Sequence, residues 1–330
     1  MAQREHAPSR RPTLRMVAER AGVSTATVSY VFSGRAGASG AGVAEATAAR
    51  VLAAADELNY RPNTAARAIR TGRSGMVQLS LHMLSDPWSL AVADAVNAEA
   101  NRHGLTTLIL ADGDWHAALD RVESDVAYLD GVGLDEEDAR RLGDLVKRGQ
   151  RLVVFSEHLE PDGFDVIRSD AIPGCELAMD HLLERHTAIG CIAAEGAVRL
   201  AGTQVTRYTP YVEKLAAAGI SPDPAWTVTY AETQASAFTA AIAAINAAHM
   251  LGVRVPHDVA VIGVGNTPDA RLIAPTLTTV GPTDFYERQA RIIVEKALEN
   301  EPSPGALHGF PWALVPGGST DLDAPASRGR

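Results

Sequence analysis

Residues 13–34 read TLRMVAERAGVSTATVSYVFSG, and this stretch decides the architecture of the amino-terminal region. Leu14, Val17, Ala18 and Ala21 recur at the spacing of one apolar helix face. Gly22 stands where that helix has to stop and reverse, a place that favours a left-handed backbone. Ser24 follows as a candidate N-cap, its hydroxyl placed to accept from the free amides of a second helix. Val28 and Val31 point back at the first helix. Thr25, Ala26, Thr27, Ser29 and Tyr30 are left on the outer surface. These are short hydroxyl and methyl groups with one phenol, chemistry suited to phosphate oxygens and base edges. The plainer alternative is a helical hairpin that packs against another element.

A Gly/Ala-rich loop, residues 35–42, separates this pair from VAEATAARVLAAADELNYRPNTAARAIRTGRS, residues 43–74. Its first part predicts a third helix with Val43, Val51, Leu52, Ala55 and Leu58 as the buried side. Pro62 breaks it, Asn63 is placed to cap a fresh turn, and residues 64–69 form a helix too short to be stable alone in water. Ala65, Ala66 and Ala68 are small enough for two copies to lie side by side. Ile69 is a bulky wedge at the end, and Arg67, Arg70 and Arg73 are flanking cations.

With these residues the chain resembles the lac-repressor/galactose-repressor (LacI/GalR) family of bacterial transcription regulators. The matching motifs are T-L-x-x-V-A-x-x-A-G-V-S-x-x-T-V-S (residues 13–29), V-x-x-x-T-x-x-x-V-L (43–52) and L-N-Y-x-P-N-x-x-A-R-x-I-x-T-G-x-S (58–74). The likeness continues as V-x-V-P-x-D-V-A-V-I-G (253–263) and P-x-L-T-T-V (275–280). It implies roles by position. Thr25, Ala26 and Tyr30 occupy base-reading places in the major groove. Thr13, Ser24, Thr27, Ser29 and Asn63 occupy phosphate-contact or capping places. Ala66 and Ile69 match hinge residues that enter the minor groove, with Arg70 beside them. The family usually has Leu as the wedge; Ile69 has similar volume, so kinking by an apolar insert is retained. Tyr30 departs further, because the family usually has Arg there and the bidentate fork for a guanine is lost. Ala48 likewise replaces a commonly basic residue.

The net charge of −10 is unexpected for a DNA binder until the chain is divided. Residues 1–74 carry eleven Arg against five acidic residues, a charge of +6; the remainder carries nineteen basic against thirty-five acidic residues, a charge of −16. An acidic body repels phosphate and favours approach with the basic head inward. No segment approaches the roughly 18 apolar residues that span a bilayer, and MAQREHAPSRRP has no apolar core of a secretory signal. The expected setting is the bacterial cytoplasm, at the nucleoid, with no membrane partner. Cys175 and Cys191 are the only cysteines, read as reduced packing residues.

From Gly75 onward short apolar runs alternate with amphipathic segments. Strand candidates are residues 76–84, 105–111, 131–134, 152–156, 189–194, 226–230 and 259–264. Helix candidates are 88–103, 135–148, 171–186, 205–218, 234–250 and 283–300. Such alternation predicts parallel sheets with helices on both faces. The resemblance implies two lobes like a periplasmic sugar-binding protein, with crossings near Pro173, Gly281 and Gly305. The expected division is a disordered basic arm (1–12), a helix-turn-helix domain (13–61), a hinge helix and linker (62–74), a two-lobe effector and dimerisation body (75–319) and a disordered tail (320–330). Lobe 1 is placed at about 75–173 and 282–304, lobe 2 at about 174–281 and 305–319. The cleft lies at the carboxyl ends of the strands.

For effector binding the resemblance singles out Asp86, Trp88, Asp170, Arg207 and Asn266. Trp88 suits stacking on a sugar face or capping of the lobe core; Arg207, in R-x-x-P-Y-x-x-x-L, suits effector hydroxyls or a carboxylate. Two departures stand out. The family's Asp pair after residues 259–263 is replaced by V-G-N, so Gly265 stands at the sugar-binding position. The stretch from Phe238 to Val253 is also too short for the family's further strand and helix; it predicts one helix, with Asn246 a polar helix position. Residues 112–130 look shortened too.

The expected function is therefore a dimeric, sequence-specific repressor on a pseudo-palindromic operator, controlled by a sugar-like small molecule. One alternative is a regulator with a degenerate effector lobe that answers to a protein partner or to nothing. Another is a solute-binding protein, against which the specific head argues. Catalysis has no assembled constellation: Gly263-x-Gly265 lacks a third glycine, and neither His181 with His186 nor Glu157-His158 has ligand spacing with a third group. No cofactor, metal or catalytic residue is expected.

Overall fold

The computed structural model describes residues 12–32, 43–62, 68–69, 71–81, 86–111, 114–133, 136–231 and 237–321. The chain divides into two compact units, Met1–Ser74 and Gly75–Arg330.

In the first unit, α1 (Leu14–Ala21) opens on Thr13, whose hydroxyl accepts from the Met16 N–H, and ends on Gly22 in the left-handed region at φ 66°. Helix α2 (Thr25–Phe32) opens on Ser24, whose Oγ accepts from the Thr27 N–H at 3.1 Å. Helix α3 is Glu45–Glu57. It ends by turning through Asn59 at φ 50°, with the Tyr60 N–H reaching back to the Ala55 carbonyl, a helix stop that satisfies orphan carbonyls. Val17, Ala18, Ala21, Val28, Val51, Ala54 and Ala55 form the core. Leu52, expected inside, is 49 % exposed, and Ala54 takes its place. The helix face is centred on Val51, Ala54 and Ala55, so position 52 is turned away by 100° per residue.

The second unit begins with β1 (Met76–Leu81), α4 (Pro87–Arg102), β2 (Thr106–Ala111), α5 (Trp115–Leu119), β3 (Val126–Asp130), α6 (Glu136–Lys147), β4 (Leu152–Phe155) and β5 (Asp165–Arg168). Lobe 2 follows with α7 (Ala171–Leu183), β6 (Cys191–Ala194), α8 (Glu195–Arg199), α9 (Thr209–Ala217), β7 (Thr227–Tyr230), α10 (Ala237–Met250), β8 (Ile262–Val264) and β9 (Thr278–Gly281). The chain then returns through α11 (Phe285–Leu298) and β10 (Leu307–Gly309) to end in β11 (Ala313–Val315).

Lobe 1 is a six-stranded sheet in the order β10-β5-β4-β3-β1-β2, parallel throughout. Alternate residues feed two cores. Val77, Leu79, Tyr128, Val153 and Ile167 pack with Val96 of α4 and Ile293 of α11. Ala127, Leu129, Leu152, Val154 and Val166 pack with Leu142 and Leu145 of α6 and Trp115 of α5. A parallel sheet covered on both faces buries every central-strand side chain, which explains the unbroken apolar runs. Lys296 of α11 is 3 % exposed and donates to Asp165 Oδ1 at 2.7 Å, while His308 Nε2 lies 3.0 Å from Asp165 Oδ2. These contacts tie α11 and β10 to the middle of the chain.

The sheet of lobe 2 is in two pieces, β6 paired parallel with β7, and β8 with β9 and an antiparallel β11. Between β7 and β8 the described residues hold one long helix, α10, as the length of that stretch predicts. A cavity of about 370 Å³ lies between the pieces, with Ile192 and Val228 on one side and Val259 to Val264 on the other.

Two expectations are corrected here. The strand placed at 131–134 is instead Val126–Asp130, preceded by the five-residue α5, so the short 112–130 stretch still supplies a helix and a strand. The third crossing falls at residues 310–312, because β10 pairs with β5 in lobe 1 and β11 with β9 in lobe 2. Gly305 belongs to lobe 1. Its φ is +89° and an added Cβ would lie 2.0 Å from the Phe164 carbonyl oxygen, so glycine there serves a close backbone approach.

Candidate nucleic-acid interface and ligand cavity

In the amino-terminal unit, α2 presents Thr25, Ala26 and Tyr30 to solvent, with Thr27 and Ser29 half-buried. Tyr30 is 53 % exposed. The order follows from the buried Val28: with that residue inward, positions 26 and 30 lie on the opposite side of a 3.6-residue turn, and Thr25 is exposed at the first position of the helix. Ser24 and Thr13 are spent on capping, and Ser24 Oγ also lies 2.9 Å from Thr27 Oγ1. Their hydroxyls fix the two helix starts, where backbone N–H groups favour anions. Ile69 is helical and 85 % exposed, an apolar side chain with almost none of its surface covered within its unit. Asn63, Ala66 and Arg70 lie outside the described residues, as do Ala65 and Arg67.

In the body, a cavity of about 420 Å³ opens where the strand order of lobe 1 reverses, the position at which open α/β sheets hold ligands. The carboxyl ends of lobe 1 strands supply Asp130, Phe155 and Ser169, and the start of α4 supplies Asp86 and Trp88. Lobe 2 supplies Cys191 to Ala194, Arg207, Tyr208, Tyr230, Val264, Gly265 and Thr267. The crossings supply Pro282 and Trp312.

Of the five residues singled out by sequence, Asp86, Trp88 and Arg207 line this cavity. Asp86 also caps α4, accepting from the Trp88 N–H at 3.1 Å. Trp88 packs on Phe155 and Phe285, with ring centroids 5.1 and 5.8 Å away, so it belongs to the lobe core and to the cavity wall at once. Arg207 is exposed, and its guanidinium carbon stands 5.6 Å over the Trp312 ring.

Asp170 and Asn266 are not among the lining residues, and their chain neighbours Ser169 and Thr267 are. Asp170 and Asn266 both have left-handed backbones, φ 47° and 49°, which turn their side chains away from the direction an extended strand end implies. Asn266 is occupied at the second crossing: its Nδ2 donates to the Pro282 carbonyl at 2.9 Å, and its Oδ1 accepts from Thr279 Oγ1 at 3.3 Å.

Sequence reading missed Phe155, Tyr208, Tyr230, Thr267 and Trp312. Tyr208 adjoins Arg207, and Trp312 sits in F-P-W between two strands, so an aromatic at an element end was the available signal. Thr267 is 4 % exposed, and among the described residues neither its buried Oγ1 nor the buried Trp312 Nε1 has a hydrogen-bond partner. Both cysteines are free thiols. Burial pushes Cys175 up to about 11 despite the opposing pull of Arg207, and pushes Cys191 up to about 12, so neither is a nucleophile at neutral pH. Among the described residues no cluster of His, Cys, Asp and Glu is arranged to hold a metal, and no helix is long and apolar enough to cross a membrane.

Residues 13–63 match the family model for bacterial regulatory proteins of the lacI family, and residues 179–320 match the periplasmic binding protein-like domain. The chain is 30 % identical to the ribose operon repressor of Halalkalibacterium halodurans over 92 % of its own length and 95 % of the relative's. It is 32 % identical to the HTH-type transcriptional repressor PurR of Yersinia pestis, covering 86 % of this chain and 91 % of that one. Among solved structures, a lac repressor dimer bound to operator and the anti-inducer ONPF superposes with a TM-score of 0.71 at 22 % identity, over 94 % of this chain and 99 % of that one. The cellobiose complex of the transcriptional regulator CelR superposes with a TM-score of 0.59 at 23 % identity, over 94 % of this chain and all of that one. By name, the two sequence relatives and the lac repressor are repressors and CelR is a transcriptional regulator; none is named as an enzyme. The chain belongs to the lacI family of bacterial regulatory proteins, and it is a DNA-binding transcriptional repressor with a helix-turn-helix head and a periplasmic-binding-protein-like body.

Proposed function

We propose that two copies of the chain read a pseudo-palindromic operator, each laying α2 in a major groove with Thr25, Ala26 and Tyr30 at base edges. Thr13, Ser24, Thr27 and Ser29 position the backbone phosphates, with Asn63 as a further contact. The hinge spans residues 62–74, where Ala66 and Ile69 enter the minor groove and Arg70 neutralises phosphate. The observation that carries this reading is the pairing of a small, hydroxyl-rich outer face on α2 with an isoleucine 85 % exposed beyond it. An aliphatic side chain left in water is a cost that insertion between base steps recovers.

Dimerisation follows from one head reading only a short half-site. Leu90 of α4 and Leu108 and Ile109 of β2 are 50 %, 39 % and 44 % exposed. They are the body's candidate for a two-fold contact in which the same patch meets itself. The protein works in the cytoplasm at its operator, without catalysis, and a ligand in the body cavity changes its DNA affinity by favouring one arrangement of the lobes.

Selection of bound duplexes from random sequence tests this reading. The expected product is two half-sites related by a dyad; an unstructured consensus overturns it. Tyr30→Arg is expected to shift the preferred base at one position in each half-site toward guanine, and an unchanged profile removes Tyr30 from the reading surface. Ile69→Ala is expected to weaken operator binding while leaving the half-site sequence unchanged.

A further inference from the structure

The cavity of about 370 Å³ in lobe 2 is walled by two strand edges, and we propose that residues 322–328 of the same chain dock between them as a parallel strand. Consecutive residues line each wall, Gly190 to Ile192 on one side and Asp258 to Val264 on the other. A sheet face would present alternate residues only, so these walls are edges. Among the described residues β6 pairs with β7 alone and β8 with β9 alone, which leaves each edge a row of backbone donors and acceptors toward the cavity. Helix α10 packs on both strands and covers the cavity with Ala237, Ala240, Ala241 and Ala244, while Leu182 and His186 border it from α7 and the turn after it. An extended chain is the occupant that hydrogen-bonds to both edges at once, and the alanines of α10 give it an apolar side to pack on.

The described chain leaves lobe 2 at the foot of this cavity. Thr320 Oγ1 lies 2.8 Å from both His181 Nε2 and Thr278 Oγ1. Thr320 and Asp321 line a groove together with Leu182 and His186, the two residues that also border the cavity. The Val261 N–H donates to the Ser319 carbonyl at 3.0 Å. His186 and Val261 precede β6 and β8, so a segment entering here runs parallel to both strands. Residues 322–330, LDAPASRGR, lie outside the described residues. Leu322, Ala324 and Ala326 alternate with Asp323, Pro325 and Ser327, the two-residue period of a strand with one apolar side. That side meets the α10 alanines and the exposed Ile192, and the polar side meets His186. Pro325 gives up one ladder hydrogen bond, while its fixed φ keeps the chain extended. Seven extended residues reach at most about 25 Å, enough to pass β6 and bring Arg328 to the larger cavity. The two cavities share Cys191, Ile192, Ala237 and Val264. The charged lining of the larger one is Asp86, Asp130 and Arg207, two carboxylates to one guanidinium, which favours an added cation. Tethering sets an effective concentration on the order of millimolar, so weak docking suffices.

Hydrogen exchange of the full chain, compared with a chain that stops after Asp321, tests the assignment. Amides of β6 and β8 are expected to exchange roughly threefold or more slower in the full chain, with β3 and β4 unchanged. The synthetic peptide LDAPASRGR, added to the shortened chain at about millimolar concentration, is expected to restore part of that protection. Ala326→Asp in the full chain sets a carboxylate against the α10 alanines and is expected to exchange like the shortened chain. Equal exchange in the full and shortened chains overturns the proposal, as does a loss that extends to β3 and β4. Protection that grows with protein concentration also overturns it, because the occupant is then a second copy. Full protection in Ala326→Asp removes the apolar side from the docked face and overturns it as well. None of these results depends on what the larger cavity binds or on DNA recognition, which operator selection decides separately.

Discussion

The two lobes of the body are built from the same alternation of strand and helix, and they differ in how well they close. Lobe 1 runs six parallel strands without a break and buries both faces. Lobe 2 divides its strands into two and three, leaving Ile192 and Val228 43 % and 56 % exposed. The difference traces to a single stretch, since α10 is the one long helix described between β7 and β8. Fewer ladder hydrogen bonds and less burial make lobe 2 the less stable unit, the kind from which moving parts are drawn. The larger cavity joins the two, with Trp88, Phe155 and Phe285 on the first lobe and Arg207, Tyr208, Tyr230 and Thr267 on the second. The well-closed and the loosely closed lobe thus face each other across one cleft.

The largest effect that tests this contrast lies in lobe 1. Asp165→Ala removes the nearer carboxylate of the buried Lys296 ammonium, leaving Glu299 Oε2 at 3.3 Å, and urea denaturation of the full chain is expected to show a loss of roughly 3–5 kcal/mol. A loss below about 1 kcal/mol breaks the assignment of lobe 1 as the stable half, because taking the nearer partner from a buried charge in a rigid core cannot be that cheap. Core truncations sharpen the comparison. Ile293 and Leu215 are 0 % and 1 % exposed in lobes 1 and 2. Ile293→Ala is expected near the upper end of the roughly 2–5 kcal/mol range for such changes, and Leu215→Ala nearer the lower end, because a loosely closed lobe collapses more readily around a void. Equal losses break the contrast.

Smaller effects follow. Hydrogen exchange is expected to be at least about tenfold faster at β6 and β8 than at β3 and β4, an opening free energy lower by roughly 1.4 kcal/mol. On the acid side, burial raises the Asp165 carboxyl, but hydrogen bonds and charge from His308 and Lys296 outweigh it, and the group lies below its ordinary 3.8. Its contribution is therefore complete above that value and is lost as pH falls through the lower folded value. The fall of stability below about pH 4 is expected to be shallower in Asp165→Asn than in the parent. The smallest change is the lobe 2 counterpart of the buried pair. Lys214 and Asp180 lie 2.8 Å apart but are 29 % and 54 % exposed, so Lys214→Ala is expected to cost no more than about 1 kcal/mol.

How far these features were legible varies by region. The head was readable almost to the residue, because helix period, Gly22 and two capping hydroxyls all act within a few positions of one another. Leu52 was the exception: apolar residues surround it in the sequence, and only the packing of α3 on α1 decides which of them turn inward. In the body, β1, β2, β4, β6, β7 and β8 were found and β3 was set a few residues late, while β5, β9, β10 and β11, three or four residues each, carry too little pattern to stand out. The lining of the cavity was legible only in part, since Phe155, Tyr208, Tyr230 and Trp312 carried no local signal beyond an aromatic at an element end. Asp86, Trp88 and Arg207 do line it, whereas Asp170 and Asn266 stand next to the lining residues Ser169 and Thr267, because a single left-handed residue at a strand end changes which side chain faces the cavity.

The amino-acid sequence by itself determined the helix-turn-helix head, the alternating α/β body, the charge division between them and the shortage of chain between β7 and β8. Each is local: it depends on spacing, caps and composition within one short window. Only the tertiary structure decided that Lys296, Asp165 and His308 meet, that the third crossing runs through residues 310–312, and that Trp312 and Thr267 share a cavity with Arg207. Those contacts join residues tens to more than a hundred positions apart, and their energy comes from burial and pairing that no local window contains.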